Sequence, residues 1–217
     1  TVRIRNDQGQ EGVGYTYTVV AGGAAVRSLI VRDLTPMLLG ADPLRVEELW
    51  ERMWWHLHYV GRGGIASFAI SAVDIALWDL KARCAGEPLW RLLGGHTRRV
   101  KAYAGGIDLQ FTLDALCAQT EDFLEQGFRA IKMKVGRDRL SEDVARVAAI
   151  RELLGPDVPL MVDANMRWSV ERAIRASRAL ADFDVYWLEE PTIPDDVEGH
   201  ARIAREGGLP IATGENL

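Results

Sequence analysis

Two lysines one residue apart, Lys132 and Lys134, sit inside an otherwise apolar run, AIKMKV. Further along come Asp163 and Asn165 in MVDAN, Glu189 and Glu190 in WLEEP, and Glu215 and Asn216 in GEN. Asp163 precedes Glu189 by 26 residues, and Glu189 precedes Glu215 by 26. So even a spacing suits carboxylates carried on successive, equivalent repeats. Three carboxylates gathered at one point repel each other unless a cation lies between them. Oxygen ligands of that charge suit Mg2+, with Mn2+ as its substitute, rather than zinc, which prefers His and Cys. Two lysines beside such a cation lower each other's proton affinity, and the metal lowers it further. A lysine that is neutral at physiological pH acts as a general base. Next to a carboxylate-bound divalent metal, that base is suited to removing the proton α to a substrate carboxylate, while the metal stabilises the resulting enediolate.

A single carboxylate at a strand end is most often half of a surface ion pair. Three at matched positions beside Lys-x-Lys fit a metal site better, and two lysines within a strand that a sheet would bury are not simply solvated. On a strand, adjacent Glu189 and Glu190 point to opposite faces, so one alone reaches the common point. Glu190 is then outward-facing or structural. Lys132 and Lys134 share a face, and Asp163 and Asn165 share one if the strand persists that far. Asn216 either supports the site or forms a turn. Asp74 and Asp79 interrupt an apolar helical stretch as packing or capping groups. None of the four histidines (His56, His58, His96, His200) falls at a strand end. Of the seven tryptophans, Trp168 follows the MVDAN loop and is the one that can reach a site. The others belong to cores or interfaces.

Two rhythms position these residues. Residues 1–20 read as a β-hairpin, with TVRIR, the turn chemistry of NDQGQ, and GVGYTYTVV. Helices follow over about Gly23–Leu39, Pro43–Tyr59 and Ile65–Cys84, the last apolar on most faces and therefore buried. EPLWRLLGG reads as a short helical turn and a linker. From Val100 strands and helices alternate. The strands are VKAYAG, AIKMKVG, PLMVDAN, VYWLEEP and LPIATGEN. The helices between them are Thr112–Gln126, one opened by Ser141 with Glu142 and Asp143 in its first turn, Ser169–Ala181, and one capped by an Asp195/Glu198 box. This β-α alternation is the signature of a parallel sheet. Its even repeat favours a barrel over a dinucleotide-binding sheet, and no GxGxxG follows any strand. An eight-stranded barrel takes about 250 residues. The stretch from Val100 to Leu217 holds five strands, so the expectation is a fragment, ending at the fifth barrel strand and shortened at its start.

The chain has 217 residues, 48% hydrophobic and 26% charged, with 26 Lys+Arg against 31 Asp+Glu. That composition is globular, and a net charge of −5 without a basic run excludes a nucleic-acid-binding face. Two cysteines, Cys84 and Cys117, make no disulfide framework. No apolar run is long enough to span a bilayer, and TVRIRNDQGQ is not a signal peptide. A cytoplasmic protein acting on small molecules is the expectation.

The chain resembles the mandelate racemase branch of the mandelate racemase / muconate lactonizing enzyme family, in the enolase superfamily. The resemblance rests on SAVDIALWDLKARCAGEPLWRLLGG, IKMKVG, MVDAN, WLEEPT and GENL in that order, and covers essentially all 217 residues. A lysine base beside Mg2+ is a known pattern of that superfamily. The resemblance implies Lys134 as the base and Lys132 as the neighbour that contacts the substrate carboxylate and tunes it. It implies Asp163, Glu189 and Glu215 as metal ligands, and Asn165 near the substrate's α-hydroxyl. Glu rather than Asp as third ligand leans toward this branch. The implied fold is α/β, with an α+β capping domain and linker over 1–99 and the N-terminal half of a TIM-type (β/α) barrel over 100–217, truncated at strand 5. Around Tyr15–Ala24, the Gly22–Gly23 pair marks either a substrate lid or an ordinary hairpin end. A second acid/base, a histidine paired with an aspartate, comes from later strands in this branch. The implied activity is Mg-dependent enolisation, foremost an acid-sugar dehydratase (a lyase). The alternatives are a 2-hydroxy-acid racemase or epimerase (an isomerase), and a non-catalytic truncated barrel. The implied partners are a small-molecule carboxylate and, in the full-length form, further copies of the chain, with neither nucleic acid nor membrane.

Overall fold

A turn built by Asn6 starts the chain's first sheet. Its Oδ1 accepts the N–H groups of Gln8 and Gln10 at 3.1 and 2.8 Å. This closes a hairpin of β1 (Val2–Arg5) and β2 (Glu11–Gly14), paired antiparallel from Val2↔Gly14 to Arg5↔Glu11. The strand expected to run on through YTYTVV ends at Gly14. Gly14 pairs with Val2, the first residue of β1, and beyond it Tyr15, Tyr17, Val19 and Val20 are exposed in this structure, a computed structural model that describes residues 1–216. The chain then forms α1 (Gly23–Ser28), a wider π-type stretch (Leu29–Leu34) and α2 (Thr35–Leu38), together one helical run. The helix expected from Pro43 begins three residues later, as α3 (Val46–Leu57), because Asp42 holds the Leu44 N–H in a turn at 3.0 Å. The long α4 (Gly64–Cys84) buries Ala69, Val73, Ala76, Leu77 and Leu80, and a short α5 (Leu89–Leu92) follows. A Cβ on Gly14 would lie 2.1 Å from the Ala72 carbonyl oxygen, so the hairpin rests on α4 backbone to backbone. Asp79 accepts the Val13 N–H and the Arg83 Nε–H, both at 2.9 Å, which is the packing role expected of it.

Thr1–Arg99 forms one unit, and a second begins at Val100. In the second, β3 (Ala104–Gly105), α6 (Leu113–Glu125), β4 (Ile131–Lys134), α7 (Leu140–Leu154), β5 (Leu160–Asp163), α8 (Val170–Leu180), β6 (Val185–Glu189), α9 (Val197–Glu206) and β7 (Ile211–Ala212) follow in turn. The five strands pair in parallel in the order β3-β4-β5-β6-β7. This is the expected partial (β/α) barrel, following an α+β unit in the chain. Its core holds Leu116, Ile131, Met133, Ile150, Val162, Leu180, Leu188 and Ile203. The first and last strands are shorter than expected, two residues each, because pairing with β4 and β6 stops there. Thr112 and Ser169 cap α6 and α8 as expected of helix starts. Two starts differ. Asp196, not Asp195, caps α9 by accepting the Gly199 N–H at 2.8 Å. Ser141 lies inside α7, and Asp143 of its first turn instead accepts the Gly136 and Arg137 N–H groups at 3.1 Å. No helix among the described residues is long and apolar enough to cross a membrane.

Candidate metal and acid–base site

Strand register brings the charged residues to one level. Lys134 pairs with Asp163 across β4 and β5, and Asp163 pairs with Glu189 across β5 and β6. Glu215 lies three residues beyond the end of β7, on the loop after it. Asp163, Glu189 and Glu215 each offer an oxygen, and these atoms lie within 4.8 Å of one another. Among the described residues this is the one such group of three. It contains no His or Cys, so its chemistry fits a hard, oxygen-seeking divalent cation. Asp163 is fully buried, Glu189 half-buried and Glu215 exposed, so the group opens to solvent on one side. A cleft of about 660 Å³ elsewhere lies wholly within residues 1–99 and contains none of these carboxylates.

Both lysines turn into the group. Lys134 Nζ donates to Asp163 Oδ2 at 2.6 Å. Lys132 Nζ donates to Glu189 Oε1 at 2.8 Å and lies 3.4 Å from Asp163 Oδ2. The second Glu189 oxygen accepts the Trp187 indole N–H at 3.0 Å, which fixes the carboxylate's plane. The Tyr103 ring sits 5.5 Å from Lys132 Nζ. Burial acts to lower the Lys132 pKa, but the hydrogen bond and charge of Glu189, helped by Asp163, outweigh it and hold it above the ordinary lysine value. The lowered proton affinity expected of Lys132 is therefore not what the protein's own groups produce. The charges it meets are the carboxylates of Glu189 and Asp163, at 2.8 and 3.4 Å.

Asn165 comes next to the group by a different route from the one expected. β5 ends at Asp163, and Asn165 and Met166 adopt left-handed φ values of 42° and 62°. The Asn165 N–H donates to Asp163 Oδ1 at 2.9 Å, closing the turn. Glu190 is structural rather than outward-facing. At φ 41° and 2% exposed, it accepts the Asn216 Nδ2–H groups at 2.9 and 3.0 Å and the Asn216 N–H at 3.2 Å. Asn216 thereby supports the loop that carries Glu215. Trp168 makes no hydrogen bond to the group through its indole. It is 4% exposed in the core, its indole N–H has no partner, and its backbone N–H donates to the Pro191 carbonyl.

The pattern of strand ends did not reveal Asp108. Fully buried, it accepts the backbone N–H of Lys134 on Oδ1 at 2.9 Å. Burial pushes its carboxyl above the ordinary range, against the pull of the Lys134 and Gln119 donors. Its one signal in the sequence is an acidic residue amid apolar neighbours in GGIDLQF.

Two family models match the chain: "Mandelate racemase / muconate lactonizing enzyme, N-terminal domain" over residues 1–94, and "Enolase C-terminal domain-like" over residues 115–217. A 3,6-anhydro-alpha-L-galactonate cycloisomerase of Streptomyces coelicolor is 61% identical over 217 residues, which is 100% of this chain and 60% of that protein. An L-talarate/galactarate dehydratase of Salmonella typhimurium is 44% identical over 99% of this chain and 54% of its own length. The crystal structure of a racemase from Streptomyces coelicolor A3(2) with bound magnesium superposes with a TM-score of 0.97 at 61% identity, covering 99% of this chain and 64% of that one. The chain thus spans about 60% of the length of the first of these relatives.

Proposed function

We propose, for a chain that belongs to the mandelate racemase / muconate lactonizing enzyme family of the enolase superfamily, that its site removes the proton α to the carboxylate of a sugar acid in a Mg2+-dependent enzyme. The observation that carries this reading is the meeting of three strand-end carboxylates within 4.8 Å with two lysine amines against them. Asp163, Glu189 and Glu215 would hold the cation. When bound, a divalent cation offsets the charge of the carboxylates and of the substrate oxygens as the α-carbon loses its proton. Lys134 Nζ takes that proton, and the electron pair left behind delocalises into the substrate carboxylate as an enediolate. Lys132 meets the substrate carboxylate with its positive charge, and Glu189 holds that amine in place. Asn165, at the turn after β5, faces the substrate's α-hydroxyl.

The product depends on the oxygen at the β-carbon. A β-hydroxyl leaves with a proton as water, and the reaction is a dehydration. A β-oxygen that closes a ring stays attached when its bond to the β-carbon breaks, and the product is an isomer. The 44% identical dehydratase favours the first outcome and the 61% identical cycloisomerase the second. Return of a proton to the α-carbon on the other face would be racemisation, the outcome favoured by the racemase structure. Dehydration of an acid sugar is the primary reading.

The test is solvent exchange. The α-proton of a panel of sugar acids, followed by proton NMR in D2O, exchanges with Mg2+ and not with EDTA, and Lys134→Ala slows exchange about 10²–10⁴-fold. Mass spectrometry of the product then separates loss of water from isomerisation. Exchange that persists in Lys134→Ala, or without a divalent cation, refutes the assignment.

A further inference from the structure

On the reading of Lys134 as the base, we propose that Asp108 is a positioning residue for it, its carboxylate standing in for a strand where the sheet stops pairing. β3 pairs with β4 through Ala104↔Ile131 and Gly105↔Lys132 and no further. Along a parallel strand, successive N–H groups alternate between the two neighbours. Those of Ile131 and Val135 go to the β5 side, to the Pro159 and Asp163 carbonyl oxygens at 3.0 and 2.9 Å. The Lys134 N–H therefore faces the β3 side, where the neighbouring chain has already left the ladder. Asp108 Oδ1 takes it at 2.9 Å. Lys134 is the last residue of β4, the position that frays first when its N–H is unpaired.

Asp108 is itself held from two helices. Its Oδ2 accepts Gln119 Nε2–H of α6 at 3.0 Å, and its carbonyl oxygen accepts Arg146 Nη2–H of α7 at 2.9 Å. Arg146 also donates to the Phe111 carbonyl at 2.8 Å, so one guanidinium pins the whole loop. Gly106 has no room for a side chain. A Cβ there would lie 2.3 Å from Gln119 Nε2 and 2.6 Å from Asp108 Oδ2. An apolar residue at 108 would avoid desolvating a carboxylate, yet it would strand both the Lys134 amide and Gln119. The backbone anchor decides where a long lysine stem can deliver its amine, and a misplacement of about 1 Å costs on the order of 100-fold in rate.

Exchange of a sugar-acid α-proton and Mg2+ affinity, measured together in the wild type and its variants, test this. Wild-type exchange tests the base assignment, and the two substitutions at 108 test the positioning. In Asp108→Ala, kcat for exchange falls at least about tenfold while KM and Mg2+ affinity stay within about twofold. Asp108→Asn keeps an oxygen acceptor for the Lys134 N–H and stays within about threefold of wild type. The proposal is overturned if Asp108→Ala matches wild type, if Asn is no better than Ala, or if Ala loses Mg2+ affinity in parallel with kcat. Should circular dichroism find Asp108→Ala unfolded, Gln119→Ala takes its place. A few-fold fall in kcat at unchanged Mg2+ affinity is then expected, and an unchanged kcat overturns the proposal. A wild type without exchange removes the base assignment and, with it, the role given to Asp108.

Discussion

Replacing Asp163 with Ala removes three contacts at once. The carboxylate is fully buried, accepts Lys134 Nζ–H at 2.6 Å and lies 3.4 Å from Lys132 Nζ. Its other oxygen accepts the Asn165 N–H at 2.9 Å and so closes a left-handed turn. A charge-assisted hydrogen bond contributes about 1.5–3 kcal/mol, and stripping one partner from a buried ion pair costs about 3–5 kcal/mol. The lysine side chains keep 14% and 16% of their exposure, and Lys132 keeps Glu189 at 2.8 Å. The low end of the range therefore applies, about 3 kcal/mol in EDTA. Mg2+ at 100 times its Kd adds about 2.7 kcal/mol to the wild type by linkage and adds nothing to a variant that no longer binds it. The gap between the two proteins then widens from about 3 to about 6 kcal/mol when Mg2+ replaces EDTA. Urea unfolding followed by tryptophan fluorescence measures both gaps. Asp163→Asn, which keeps an acceptor for the Asn165 N–H, falls between in EDTA and gains nothing from Mg2+. A gap of equal size in EDTA and in Mg2+ would show that Asp163 belongs to an ion-pair network and holds no cation, and the reasoning would fail.

Glu190→Ala loosens the loop carrying Glu215 and weakens Mg2+ binding by about 10–100-fold in calorimetric titration, with Glu190→Gln closer to wild type. Asp196→Ala costs about 1 kcal/mol in urea unfolding, whereas Asp195→Ala stays within about 0.5 kcal/mol. Equal losses would put the α9 cap back at residue 195. Burial holds the Asp143 carboxyl above its ordinary range, against the Arg137 and Gly136 N–H donors. A carboxyl that keeps its proton more tightly folded than unfolded takes up protons on folding between the two pKa values. Its contribution to stability is therefore lost as pH rises from the unfolded value, about 3.9, through the raised folded one. Asp143→Asn should flatten that fall in urea unfolding measured upward from about pH 4, and an unchanged slope would count against it. Gly14→Ala would drive a Cβ to 2.1 Å from the Ala72 carbonyl oxygen, a clash with backbone, and should cost more than about 3 kcal/mol in thermal unfolding.

Residue types and spacing, together with the family resemblance, named the carboxylates and lysines that the sheet brings together. Strand ends recur at fixed intervals in a βα repeat, alternation puts Lys132 and Lys134 on one face, and a set of acidic groups without His or Cys is recognisable without coordinates. The same local signals placed the α6 and α8 starts at Thr112 and Ser169. Tertiary structure decided the rest. It gave Glu190 a left-handed backbone and set its carboxylate on Asn216. It ended β2 at Gly14, opposite Val2, and it drew Trp168 into the core. It raised the Lys132 proton affinity, since the nearest charges across the sheet are carboxylates. It also set Asp108 on the amide of Lys134, 26 residues away in the chain. Periodicity along a chain encodes which side chains share a face. The partner of a buried donor, and the net field at a buried amine, come into being only when distant segments pack together.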